Sequence, residues 1–376
     1  MSSTNNNISS IGSPRIIIAG GGTGGHIFPA IAIANALMEK NPLVDILFVG
    51  AKGKMEMEKV PEAGYKIKGI DIAGYNRSSI LKNISLPIKL VTSFYQVKNI
   101  IKSFHPDAVI GVGGYSSFPV LKYAQVKGIP TFIHESNSFA GKSNILLGKK
   151  AINVFVASDG MNKFFPENAI IKTGNPIRKN IAANITGRNE AIKIFNLKED
   201  KTTLLVTGGS LGARSINQAI AESINTITKA GIQIIWQTGK GNAQQYDSLV
   251  KDCHQVWISD FIKDMSIAYA AADIVVSRAG AMAVAEICVV KKPVIFVPYP
   301  FAAEDHQTAN AKELVNKNAA LMIIDKDVRE KLGTAIVQLA KDKNEQETFI
   351  KNIAVLGKTD ADSIIAETVL NYINKI

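Results

Sequence analysis

The sequence has only two cysteines, Cys253 and Cys288, far apart along the chain. This excludes a disulfide framework or a cysteine metal knuckle, and a reducing compartment such as the cytoplasm is expected. It also lacks an uninterrupted apolar run of the roughly 18 residues that would suggest a membrane span. The most apolar region, 268–303, is broken by Asp273, Arg278, Glu286, Lys291 and Lys292. The opening MSSTNNNISSIGSP carries no apolar stretch of the kind a secretory leader needs, so residues 1–13 read as a polar, disordered tail. No G-x-x-x-x-G-K-[ST] loop, metal-ligand spacing or Ser/His/Asp signature occurs, and there is no short-period repeat. Acidic residues are scarce in the first half. Residues 1–178 hold 20 Lys/Arg against 10 Asp/Glu, a surplus of +10, whereas 179–376 hold 23 against 22, or +1. The first half therefore expects an anionic partner: nucleic acid, an anionic bilayer or a phosphorylated substrate.

What is present is an alternation. Short β-branched runs at 15–20, 45–50, 107–113, 131–135, 153–158, 203–209, 232–239, 274–277 and 294–300 are separated by longer stretches with helical periodicity. Such βα alternation predicts parallel sheets covered by helices on both faces. Two series occur, each opening with a glycine loop, and IIKTGNPIRKN (170–180) marks the seam. The expected fold class is α/β, with two doubly wound domains facing each other across a cleft. Ligands in such sheets sit beyond the carboxyl ends of the strands.

Three glycine loops follow predicted strands. In RIIIAGGGTGGHIFPAI (15–31), Gly20, Gly21, Gly22, Gly24 and Gly25 precede a helix expected near Phe28–Pro29. GVGGYSSFP (111–119) and GGSLGARS (208–215) are the others. Glycine admits close approach of another group, and helix-start N–H groups form an anion site. Gly20, Gly22 and Gly25 fit G-x-G-x-x-G, but the acid that should close the second strand of a dinucleotide site is absent until Glu56. Three loops at one topological position point to a ligand, or a ligand pair, with several phosphates.

His26 stands where the first loop becomes a helix, among residues too small to bury it, and reads as a ligand-facing base or hydrogen-bond donor. His134, Glu135 and Asn137 end a strand; they are either site chemistry or a loop-capping cluster. In SRAGAMAVAEI (277–287), Glu286 could accept two ribose hydroxyls or serve the helix dipole. PYPFAAEDHQTANA (298–311) places Glu304, Asp305, His306, Gln307 and Asn310 between a strand and a helix, and reads as a substrate rim. The D-x-D tripeptides at 325–327 and 360–362 read as helix caps rather than metal ligands.

GGGTGGHIFPA, GVGGYSSFP, HESN, TGNPIR, GGSLGARSIN, DFIKDM, SRAGAMAVAEI and DHQTANA occur in order over residues 20–311. Together they closely resemble the MurG-type N-acetylglucosaminyltransferases of bacterial peptidoglycan synthesis. The resemblance implies the GT-B fold, with two Rossmann-like domains around a deep cleft. It implies an N-terminal acceptor- and membrane-binding domain of 14–177 plus 360–376, and a C-terminal UDP-sugar domain of 178–359. The implied reaction is inverting transfer of N-acetylglucosamine from UDP-N-acetylglucosamine to lipid I, giving lipid II and UDP. It implies no metal or other cofactor and no nucleic acid. The expected place is the cytoplasmic face of the bacterial inner membrane, on an anionic surface, with other cell-wall synthesis proteins as further partners. His26 becomes the catalytic candidate. Donor-binding residues are Thr23, Gly24, Gly25, Asn137, Arg178, Ser210, Leu211, Gly212, Ile262 (through its backbone, to uracil), Ala281, Met282, Glu286 and Gln307. Acceptor-binding residues are Gly21, Gly22, Gly113, Gly114, Tyr115 and Ser116. The residues Phe301-Ala302-Ala303-Glu304 ahead of Asp305 depart from the family pattern.

A membrane-facing patch is expected in YNRSSILKNISLPIKL (75–90), where Ile80, Leu81, Ile84, Leu86 and Ile88 mix with Arg77, Lys82 and Lys89, and where Pro87 breaks a long helix. The competing readings are a UDP-N-acetylglucosamine 2-epimerase, a glycosyltransferase acting on diacylglycerol, and a non-catalytic nucleotide-sugar-binding module.

Overall fold

A computed structural model describes residues 13–74, 83–183 and 186–375. The expected tail up to residue 12, and Ile80, Leu81 and Lys82 of the expected membrane patch, lie outside the described residues. The first sheet contains β1 (Arg15–Ala19), β2 (Asp45–Ala51), β3 (Lys66–Ile70), β4 (Ala108–Gly111), β5 (Thr131–Glu135), β6 (Asn153–Val156) and β7 (Ile170–Lys172). Its order is β3-β2-β1-β4-β5-β6-β7. The second contains β8 (Thr202–Thr207), β9 (Ile232–Gln237), β10 (Val256–Ser259), β11 (Ile274–Ser277), β12 (Val294–Phe296) and β13 (Leu321–Met322), in the order β10-β9-β8-β11-β12-β13. Every adjacent pair is parallel. Both lobes thus carry the doubly wound order, which reverses direction once, between β1 and β4 and again between β8 and β11.

The central strands are buried on both faces. Ile16 and Ile18 of β1 point into one core layer, while Ile17 and Ala19 point into the other. In the second lobe, Leu204 and Val206 face one layer and Leu205 the other. Such strands read as continuous apolar runs, and for that reason nine were visible in the sequence. The four that were not, β3, β7, β10 and β13, are the four sheet edges. β3, with the sequence KIKGI, alternates lysine with isoleucine and exposes its lysines, which suits an edge.

The helix after β1 spans Gly24–Lys40, beginning two glycines before His26 rather than near Phe28–Pro29. Pro29 lies within it, and its missing N–H leaves the Gly25 carbonyl without the usual i+4 donor. Pro87 likewise does not break a helix; it sits in the first turn of the helix Leu86–Phe104, where its fixed φ suits helix initiation. The last helix, Ala361–Ile373, returns to the first sheet. There Ile365, Ala366, Val369 and Leu370 join the layer formed by Ile16, Ile18, Ile33 and Phe132.

Candidate active site

Four helices start at the two switch points, just past β1, β4, β8 and β11: Gly24–Lys40, Ser117–Val126, Arg214–Lys229 and Ala281–Val290. None has a side-chain cap, and none has an acid in its first turn. The first amides of a helix have no intrahelical acceptor. Among the described residues most helices elsewhere also lack a side-chain cap; the two that carry one do so through Asp264, which accepts from Ser266 N–H, and Asp342, which accepts from Glu345 N–H. The uncapped ends leave partial positive charge where the sheets reverse, which is the arrangement that receives phosphate.

The two glycine loops of the first lobe interlock. A Cβ on Gly114 would lie 2.4 Å from the Gly21 carbonyl oxygen, and one on Gly113 would lie 2.8 Å from the His26 ring. Their glycines therefore first permit backbone-to-backbone contact and only then access for a ligand. Glu56 fixes the assembly. It is almost fully buried and accepts from Gly22 N–H at 2.9 Å and Ala51 N–H at 3.0 Å. The Gly22 amide, expected to face the acceptor, is therefore committed to Glu56. An acid placed too late for a ribose serves the loop itself. Tyr115 packs its ring beside Gly74 and Gly22.

His26 is partly buried against this loop. Its Nδ1 lies 3.2 Å from the Gly21 carbonyl and 3.3 Å from Thr23 Oγ1. A carbonyl only accepts, so Nδ1 carries the proton and Nε2 keeps its lone pair. Burial lowers the His26 pKa, opposed by Glu135 and the Gly21 carbonyl and reinforced by the charge of His306 on the second lobe.

After β5, Glu135 is buried and organises the following loop. It accepts from the Asn137 N–H and Nδ2, from Gly141 N–H and from Asn144 Nδ2, all at 2.9–3.2 Å. The loop-organising reading therefore holds for Glu135. His134 is fully buried, and burial pushes its pKa down to about 4. Asn137 and Ser138 reach the second lobe: Ser138 N–H donates to Asn310 Oδ1 at 2.9 Å, Ser138 Oγ donates to Glu313 at 2.6 Å, and Asn310 Nδ2 lies 3.4 Å from Asn137 Oδ1.

In the second lobe, Glu286 lies in the second turn of its helix, which rules out the helix-dipole reading. It is buried and holds Arg178 through two hydrogen bonds, Nε to Oε1 at 3.0 Å and Nη2 to Oε2 at 3.1 Å, with the Tyr269 hydroxyl at 3.4 Å. Burial raises its pKa, and Arg178 opposes this. The Arg178 guanidinium also lies 5.6 Å from the Phe28 ring centroid in the first lobe. Ser210 and Leu211 are exposed at the tip of their loop, and Gly212 packs against Thr238. Ile262 N–H is committed to Gln237 Oε1 at 2.9 Å. Asp325 does not cap a helix: it takes Arg278 Nη1 and Ser215 Oγ, each at 2.6 Å. Asp327 and Asp360 stand at helix starts but make no side-chain cap. Gln307 Oε1 accepts from Tyr299 N–H at 3.0 Å. His306 Nδ1 lies 2.6 Å from the Ala303 carbonyl. Glu304 and Asp305 hold left-handed φ values of 49° and 52°.

The structure thus joins Asn137 to Asn310 and pairs Arg178 with Glu286. Sequence reasoning missed the roles of Glu56 and Arg278. Their signal is weak, because each is a charged residue that works on the backbone or on another charge rather than on a motif.

Residues 16–156 match the glycosyltransferase family 28 N-terminal domain, and residues 203–365 match the family 28 C-terminal domain. The UDP-N-acetylglucosamine–N-acetylmuramyl-(pentapeptide) pyrophosphoryl-undecaprenol N-acetylglucosamine transferase of Phocaeicola vulgatus is 50% identical over 364 residues, 96% of this chain and 97% of the relative. The chain is a family 28 glycosyltransferase of the MurG type. The equivalently named protein of Bacteroides thetaiotaomicron is 49% identical over 360 residues, 95% of this chain and 97% of its own. Among solved structures, Acinetobacter baumannii MurG superposes with a TM-score of 0.76 at 26% identity, covering 96% of this chain and all of that one. The family 28 chain also shares its fold with S. aureus MnaA, solved with UDP, at a TM-score of 0.70 and 15% identity over 96% of this chain and 98% of that one.

Proposed function

We propose that the chain transfers N-acetylglucosamine from UDP-N-acetylglucosamine to the 4-hydroxyl of the muramyl sugar of lipid I, giving lipid II and UDP. The observation that carries this reading is the end-to-end match, at 50% identity, to a transferase whose name states that donor and acceptor. Inversion takes one displacement. The acceptor oxygen bonds to the anomeric carbon as the bond to the diphosphate breaks, and that electron pair moves onto UDP. The hydroxyl proton goes to His26 Nε2, whose lone pair the Gly21 contact preserves. The uncapped helix starts at Arg214 and Ala281, with the amides of Ser210 and Leu211, meet the diphosphate charge, while the Gly212 amide closes the loop by donating to the Gly209 carbonyl at 3.0 Å, so the reading calls for no metal. Ala281 and Met282 line the sugar phosphates, and the carbonyl of Ile262 is the part of its backbone left for uracil. Glu286, steadied by Arg178, holds the ribose, while Gln307 holds sugar hydroxyls. Thr23, Gly24, Gly25 and Asn137 border the donor from the first lobe. Gly113, Gly114, Tyr115 and Ser116 receive the acceptor diphosphate, whereas the buried Gly21 spends its N–H on the Gly113 carbonyl and its own carbonyl on His26.

The enzyme works at a membrane surface in this reading. Among the described residues no helix is long and apolar enough to cross a membrane. The helix Leu86–Phe104 and the residues before it instead present Ile84, Ile88, Val91 and Tyr95, each at least 65% exposed, at helical spacing along one face. Lys89 and Lys98 stand exposed beside them. An apolar stripe with flanking cations suits attachment to an anionic bilayer.

The test is UDP release from UDP-N-acetylglucosamine with and without a short-chain lipid I analogue. Release that requires the analogue, with a disaccharide product by mass, is expected. UDP loss without any acceptor would instead indicate the hydrolysing epimerase chemistry.

A further inference from the structure

We propose that Gln237 is a positioning residue of the donor site: its amide ties the segment that reads the base, at Ile262, to the loop that meets the diphosphate, at Gly209, and so aims the Ser210 N–H at that charge. The inference rests on the donor-site reading above and adds a residue buried beneath it. Gln237 closes β9, between Thr207 of β8 and Ser259 of β10. Its side chain is 3% exposed and spends every polar hydrogen and its oxygen on the two flanking segments. Oε1 accepts from the Ile262 N–H at 2.9 Å, and Nε2 donates to Thr207 Oγ1 at 3.1 Å and to the Gly209 carbonyl at 3.2 Å. The amide fits only this way round, because a backbone N–H only donates and a carbonyl only accepts.

A peptide group is planar and trans, so its carbonyl and its N–H point in opposite directions. The Gly209 carbonyl is drawn inward by Gln237 and by the Gly212 N–H at 3.0 Å. The Ser210 N–H of the same peptide therefore points outward from an exposed loop tip, and among the described residues it has no acceptor. The next peptide is held as well, since the Ser210 carbonyl accepts from the Lys240 N–H at 3.2 Å. A glutamine that served the sheet alone would need only the bond to Thr207. Here two of the three bonds reach past the strand ends, to loops on either side of β9. One side chain thus sets the span between the base end and the diphosphate end of a pyrimidine nucleoside diphosphate. An N–H fixed in place before the ligand arrives needs no reorganisation to meet it.

Titration calorimetry with uridine, UDP and UDP-N-acetylglucosamine tests this without needing turnover. Gln237→Met keeps the length of the side chain and removes all three hydrogen bonds. It should weaken UDP about tenfold more than uridine, the equivalent of one hydrogen bond to the diphosphate. Gln237→Glu supplies a rescue. Its carboxyl, when protonated, offers one donor and one acceptor as the amide does; when ionised, it only accepts and sets its charge against the Gly209 carbonyl. Burial favours the protonated form, so the Glu variant should bind UDP-N-acetylglucosamine as the parent does at about pH 5.5 and trail it about tenfold at about pH 8.5. Equal losses of uridine and UDP in the Met variant, or a Glu variant weaker than the parent by the same factor at both pH values, would overturn the proposal. An unmodified chain that binds UDP no better than uridine would overturn the donor-site reading itself, and this proposal with it.

Discussion

At the scale of single residues, the site is set by which nitrogen or oxygen remains free. His26 is held with its proton on Nδ1, so its usefulness as a base depends on Nε2 staying unprotonated. Burial lowers its pKa below the ordinary 6.5, which keeps it neutral at neutral pH. Its activity limb should therefore lie on the acid side, with kcat/KM falling as pH drops below that range. His26→Ala should lower turnover by roughly 10²–10⁴ and remove that limb; near-normal turnover would exclude it as the base. His134 makes a different prediction. Its pKa is about 4 when folded against 6.5 when unfolded, so the unfolded chain binds the extra proton in between. The contribution is complete above pH 6.5 and is lost as pH falls toward 4, on the order of 3 kcal/mol in all. Urea midpoints between pH 7 and 4.5 should show this slope, and His134→Leu should flatten it. His26 was legible in the sequence because glycines surrounded it. Glu56 was not, because the backbone amides it holds lie at Gly22 and Ala51 and become neighbours only on folding.

At the scale of elements, legibility followed burial. Strands covered on both faces announced themselves as apolar runs, whereas the four edges did not, since half their surface meets water or polar neighbours. The start of the first helix was misjudged for a related reason, although Gly280 and Ala281 were rightly read as opening theirs. Proline and capping residues are the visible signals, yet the four helices around the switch points begin on glycine, serine, arginine and alanine with no side-chain cap. Their amides are left for a ligand that the sequence does not contain. The exposed stripe of the helix Leu86–Phe104 carries its own prediction. Ile84→Ser, Ile88→Ser and Val91→Ser together should reduce binding to vesicles containing anionic lipid while leaving the melting temperature within a few degrees, because these side chains are largely exposed. Unchanged sedimentation with vesicles would remove the stripe from the membrane reading.

At the scale of the whole molecule, the two lobes are joined twice. The chain passes to the second lobe near 173–178 and returns before Ala361, and the crossings touch: a Cβ on Gly174 would lie 2.7 Å from the Lys358 side chain. The lobes are therefore linked by two adjacent crossings of the chain, with the Ser138, Asn310 and Glu313 contacts also spanning them. Because the last helix completes a core layer of the first lobe, Ile365→Ala should cost roughly 2–5 kcal/mol. Hydrogen exchange should localise that loss to the helix Gly24–Lys40 and leave the second sheet protected. The same return of the chain has a consequence for biosynthesis. The first lobe is translated early, but its covering helix is made only after the entire second lobe, a delay on the order of tens of seconds at ordinary elongation rates. Throughout that interval, the apolar surface that will receive Ile365, Val369 and Leu370 stands uncovered on the nascent chain. For this protein, folding of the half made first waits on the residues made last.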